Sequence, residues 1–152
     1  MSEKLMSEHL HVIGVFDPFD GEGTTTKTDV WDMQKYRSVM AIIASGTMQT
    51  GGTLDAHMEE SATSNGTFTT LTGKAMTQFT TADAAKQAII NLSQAEVAAT
   101  TATGARWCRL NLAAASATVA YTAIVLGSHS RFKVPWTTIS YGDLASVDEI
   151  VA

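Results

Sequence analysis

"YRSVMAIIASG", residues 36–46, decides the fold. Apart from Arg37 it carries no charge, and both alternating sets of its side chains are apolar. A membrane piece, a helix and a strand buried on both sides all read this way. The unbroken apolar run covers only residues 39–44, far short of the ~20 residues that a membrane helix needs. Its shortness, its β-branched residues and the closing Gly46 favour a strand near the middle of a sheet, covered on both faces.

Working outward from it, "TGG" at residues 50–52 reads as a turn. "TLDAHMEES" then alternates, with Leu54, Ala56 and Met58 on one face and Asp55, His57 and Glu59 on the other. That predicts a half-buried strand paired with its predecessor. Asn65-Gly66 is a tight-turn signal, because both residues tolerate positive φ. "TFTTL" follows as a strand, and "AMTQF" after Gly73 as one more. "RWCRLNLAA" alternates again, "AAASA" reads as a hairpin connection, and "ATVAYTAIVLG" as a central strand. Residues 82–99 are ambiguous: propensity favours a helix, while "KQAIINL" also reads as a strand followed by a loop or short helical turn.

Residues 26–127 are therefore a chain of short strands broken by turns, the pattern of an antiparallel sandwich or barrel. The ends differ. Residues 1–25 and 128–152 show no clear period and read as an N-terminal and a C-terminal arm. Aromatic residues are scarce in disordered tails, yet these arms hold Phe16 and Phe19, then Phe132, Trp136 and Tyr141. The arms are therefore expected to dock, either on their own domain or on a neighbouring subunit. No internal repeat and no second domain is expected.

Composition narrows the function. The chain has 152 residues, net charge −5 and only 16% charged residues, with Thr and Ala at 22 each. No basic run is present to replace phosphate counterions, which argues against nucleic acid as a partner. Residues 110–127 are uncharged but rich in Ala and broken by Asn111, Ser116, Thr118 and Thr122, so no membrane span is expected. "MSEKLMSEHL" lacks a basic stretch followed by an apolar core, which predicts no secretion signal. The single cysteine, Cys108, excludes an intramolecular disulfide and suits a reducing compartment.

Catalytic candidates are few. Asp55, His57 and Glu59 share one strand face and are the ligand types of zinc or manganese. Three ligands in a row on a flat strand rarely close a shell, so a solvated face is the better reading. His9 and His11 alternate in the same way. Asp17, Asp20 and Glu22 lie near glycines but miss the spacing of a calcium loop. Cys108 lies on the apolar face of its strand, where a thiol is an inert core group. No nucleophile elbow and no phosphate loop occurs. Trp107 and Arg109 share a face and could stack on a sugar or a base, although cross-strand packing explains them more simply. No cofactor, no metal and no enzyme activity is expected.

Three stretches carry a resemblance: "DVWDMQKYRSVMAIIASGTM", "GGTLDAHMEESATSNGTFTTL" and "ARWCRLNLAAASATVAYTAIVLG". In this order, over about residues 30–127, they resemble head decoration (cement) proteins of tailed bacteriophages. "DLASVDEIVA" also looks like the endings of such chains. The resemblance implies a β-sandwich of jelly-roll type, a homotrimer, and a place on the outer capsid surface. There the protein would clamp neighbouring major capsid proteins and stabilise the expanded head, after synthesis in the bacterial host cytoplasm. It also implies a strand at "KQAIINL", against propensity. Phe16, Phe19, Trp136 and Tyr141 are then the candidate contacts with the capsid or a neighbouring subunit. Packing on their own domain is the competing reading. A phage tail or head–tail connector subunit and a carbohydrate-binding β-sandwich are the alternatives.

Overall fold

The computed structural model describes residues 9–100 and 104–128. Strand-forming stretches alternate along it: β1 (Leu10–Gly21), β2 (Thr24–Lys27), β3 (Trp31–Asp32), β4 (Ser38–Met48), β5 (Thr53–Ser61), β6 (Thr69–Ala75), β7 (Gln87–Ser93), β8 (Trp107–Ala115) and β9 (Val119–Ser128). One short helix, α1 (Gln94–Thr100), follows β7. The strands form two antiparallel sheets, ordered β1-β9-β4-β7 and β2-β8-β5-β6, with β3 continuing the β2 edge along β8. Counting β2 and β3 as one broken strand, this is the eight-stranded order of a jelly roll.

The opening stretch is β4, a central strand between β9 and β7. Val39, Ala41 and Ile43 face the second sheet and are fully buried. Met40, Ile42 and Ala44, on the other side, are only half-buried. The expectation of burial on both faces is thus corrected. The strand is central, but among the described residues nothing covers its outer face.

Two expected hairpins are also corrected. β4 and β5 lie in different sheets, and so do β8 and β9. Their short connections bridge the sandwich instead of closing a hairpin. Gly51, at φ 85°, makes the first bridge, and the Gly52 N–H donates to the Gln49 carbonyl at 2.8 Å. Ser116, at φ 69°, turns the second. A short polar connection between alternating strands looks the same in both cases. Which strand pairs with which is settled by the burial of the inner faces.

β5 and β6 do form a hairpin, with Asn65-Gly66 in its loop. Of the expected separate strand after Gly73, only Ala75 belongs to β6; Phe79 returns to β5 in an isolated bridge with Leu54, its N–H donating to the Leu54 carbonyl at 2.9 Å. Gly73, at φ 74°, sits at a bulge where the register jumps from Glu59↔Thr70 to His57↔Ala75. "KQAIINL" is strand β7, as the resemblance implied, because pairing with β4 from Ser38 to Ala44 outweighs helix propensity.

The sequence expectation set residues 1–25 apart as an arm, yet Leu10–Gly21 is β1, paired along β9. Its period is hidden by two one-residue bulges, between Val12 and Gly14 and between Phe16 and Phe19. Pro18 sits in the second, where a missing N–H costs no ladder bond. The C-terminal arm beyond Ser128 lies outside the described residues.

The core fills the space between the sheets. Trp31, Met33, Ile43, Leu54, Met58, Leu110, Leu112 and Val125 are buried there to 1% exposure or less. Burying one such side chain contributes about 1.5–3 kcal/mol, and this term holds the sandwich closed.

Candidate functional site

The outer face of the β2-β8-β5-β6 sheet gathers the polar candidates. Glu59 sits at its centre, 8% exposed. Arg109 Nε donates to Glu59 Oε2 at 2.6 Å and Asn111 Nδ2 donates to Oε1 at 2.9 Å. His57 Nε2 lies 3.5 Å from the same Oε1. Burial pushes the Glu59 carboxyl up. The hydrogen bonds from Asn111 and Arg109 and the nearby charges of Arg109 and His57 outweigh it, so it titrates below the ordinary range. The Phe68 ring covers the Arg109 guanidinium at 4.0 Å.

Asp55 turns elsewhere, accepting from Gln78 Nε2 at 2.7 Å. Asp55, His57 and Glu59 therefore share a face, as the alternation predicts, without converging. Among the described residues no group of three His, Cys, Asp or Glu is placed to hold a metal ion. Arg109 is enclosed between Glu59 and Phe68, while Arg106 stands 5.1 Å over the Trp107 ring. Arg109 thus serves cross-strand packing against Glu59 of β5, and Trp107 packs under its chain neighbour Arg106.

A second buried charge lies at β3. Asp32 is 1% exposed, and Arg106 Nε donates to its Oδ1 at 2.8 Å. Burial raises the Asp32 carboxyl; the Arg106 hydrogen bond, the Gln34 backbone N–H and the charges of Arg106 and Lys35 pull it below the usual range. Cys108 is fully buried, and its thiol is pushed far up by burial and by the charges of Glu60 and Asp32. A thiol so held supplies no thiolate at neutral pH.

Of the four candidate contact residues, Phe16 and Phe19 are described and Trp136 and Tyr141 lie outside the described residues. Phe16 stacks on Tyr121 with ring centroids 5.2 Å apart, and Phe19 meets both rings edge-on at 6.1 Å. Phe16 is thus packed on its own domain. Phe19 keeps 45% of its surface exposed at the sandwich end. There it borders an open hollow shared with Pro18, Ala44, Gly46 and Ala120.

One surface was not anticipated: the outer face of the β1-β9-β4-β7 sheet. Val15, Ile124, Ile42 and Ile89 form one row straight across its four strands. Val12, Leu126 and Met40 form the next. Ile89 is 59% and Ile124 42% exposed; with Phe19 they are the large apolar residues exposed among the described ones, and all three belong to this sheet. The signal was the same double apolar alternation that reads as burial on both faces.

Beside this face, the gap between the edge strands β6 and β7 is clasped. Lys74 Nζ donates to the Asn91 carbonyl at 2.8 Å and pairs with Glu96 Oε1 at 2.7 Å. Glu96 Oε2 accepts from the Ser93 N–H and hydroxyl. The Lys74 hydrogen bond, with that of the Ser93 N–H, lowers the Glu96 carboxyl to about 2.

No family model matches this sequence, and no curated protein does. Among solved structures, chains of infectious bursal disease virus, Gx and Gt strains, are each 11% identical with a TM-score of 0.49. The matches cover 84% and 82% of this chain, and 33% and 34% of theirs. A chain of broad bean stain virus is 11% identical with a TM-score of 0.40, covering 64% of this chain and 57% of that one. This chain thus spans about a third of the length of the first two. The jelly-roll assignment rests on its own strand order.

Proposed function

We propose that this chain is a structural protein of a virion, acting by binding and not by catalysis. In its fuller form it is a decoration protein of a tailed bacteriophage. Copies, as homotrimers, sit on the outer surface of the expanded head and clamp neighbouring major capsid proteins. A jelly roll hosts many functions, so the fold alone does not choose among them. The observation that carries the reading is a pairing of two facts. The sequence resembles cement proteins over residues 30–127, and the two buried carboxylates best placed for chemistry among the described residues are held internally, Glu59 by Arg109 and Asn111 and Asp32 by Arg106.

Binding would then fall to exposed apolar groups. Phe19 is one such anchor on the sandwich, and Trp136 and Tyr141 in residues 128–152 are proposed as others, because aromatic residues carry large contact area with few rotatable bonds. Each contact can be weak, since a trimer touching several capsomers binds through effective concentration. Synthesis in the host cytoplasm fits the single, reduced Cys108.

The test adds the purified chain to expanded heads that lack it and follows their disruption on heating. The reading expects saturable binding and a higher disruption temperature, and Phe19→Ala should weaken binding without unfolding the chain. Heads that neither bind the chain nor gain stability would overturn it.

A further inference from the structure

From the outer face of the β1-β9-β4-β7 sheet we infer that two copies of this chain associate face to face through the row Val15, Ile124, Ile42 and Ile89. The outward positions of β4, β7 and β9 carry Ser, Met, Ile, Ala, Gln, Asn, Thr and Leu, and no charged residue. Among the described residues the nearby charges lie at the rim, with Asp17 and Asp20 on the edge strand β1, Arg37 just before β4 and the Lys74–Glu96 pair at the side.

That distribution selects the occupant. In a two-fold contact a residue near the axis meets its own mate, so any charge there would oppose itself. Two copies of a chain with net charge −5 repel at long range, and they can close only where neither presents a charge. A partner of opposite charge would be drawn to the rim instead. Edge-to-edge addition at β7 is hindered, since Lys74 takes the Asn91 carbonyl on that free edge. Face-to-face sheet packing remains, with Ile124 and Ile89 interdigitating across a gap of ~10 Å.

The size sets the strength. Four strands about 4.8 Å apart and about seven residues long make a face on the order of 400 Å². A standard stable interface buries about 800 Å² per partner. The pair is therefore weak and reversible, and it becomes populated where copies are concentrated. It is independent of the trimer proposed above, because each copy of a three-fold set can offer this face to a copy of another set.

Sedimentation of the full chain over roughly a hundredfold range of concentration tests it. The average mass should double as concentration rises, and the doubling should be lost in Ile89→Lys/Ile124→Lys. Thr72→Lys, an exposed change on the other sheet, should leave it intact. Melting midpoints of the Ile89→Lys/Ile124→Lys variant should match the parent, because both side chains are already half exposed. A mass independent of concentration overturns the inference, as does a charged variant that still doubles. A charged variant that melts far earlier also overturns it, by showing that the face is covered within the chain. None of these outcomes depends on whether heads bind the protein.

Discussion

The Phe16 ring lies parallel to the Tyr121 ring, 7° between planes and 5.2 Å between centroids. Thr122 Oγ1 donates to the Phe16 carbonyl at 2.7 Å, so β1 is pinned to β9 by both backbone and ring. Phe16→Ala should therefore lower stability by about 2 kcal/mol, less than the roughly 3–5 kcal/mol of a fully buried ring. Phe19→Ala, at an exposed edge-on ring, should cost under about 1 kcal/mol. Urea denaturation of both variants checks the order; equal losses would contradict the packing described.

Gly127 faces Tyr36 so closely that an added Cβ would lie 2.6 Å from its nearest ring carbon. Tyr36 is 5% exposed and has no room to swing. Gly127→Ala is expected to destabilise by about 1–3 kcal/mol through overpacking. Tyr36→Leu in the same background should recover part of that loss, which a double-mutant cycle would show as coupling.

Acid should weaken the fold. Asp32, Glu59 and Glu96 all titrate lower in the folded chain than in the unfolded one. Their contribution is present above the unfolded carboxylate range and is lost as pH falls through the folded values. Stability should thus decline between pH 4.5 and about 2, the window set by Glu96. Arg106→Met isolates one part. It should cost about 2–3 kcal/mol near neutrality, below the full loss for a buried pair, because the guanidinium is 40% exposed and partly solvated. That cost should shrink as acid protonates Asp32. Melting midpoints of parent and variant across pH would reveal a constant difference if the pairing did not matter.

Cys108 should resist a thiol reagent in the native chain and react in step with global unfolding, since its sulfur is buried at 0% exposure. Rapid labelling of folded protein would contradict its place between the sheets.

Much of this fold was legible. Strands β4, β5, β8 and β9 fall where alternation puts them, because each has a clean inner face. Pairing was less legible: the bridge at 49–52 and the hairpin at 62–68 both join alternating strands, and only three-dimensional burial separates them. β1 was hidden because its bulges at Gly14 and Pro18 break the period twice within one strand. β7 needed the resemblance, since its Ala and Gln residues favour a helix until β4 supplies a partner. Of the candidate contacts, the sequence marked Phe16 and Phe19 as aromatic but could not show that a bulge turns one inward onto Tyr121 and leaves the other exposed. The apolar outer sheet face was visible as a pattern and misread as core, because periodicity reports apolar sides without reporting what covers them.

The proposed role makes this chain a component of the virion. Particles from cells that carry its gene, purified on a density gradient, should contain it at a fixed ratio to the major capsid protein, measured by quantitative mass spectrometry. Co-banding at constant stoichiometry through successive gradients is the predicted result. A chain that stays in the soluble fractions while full heads band without it would contradict the account.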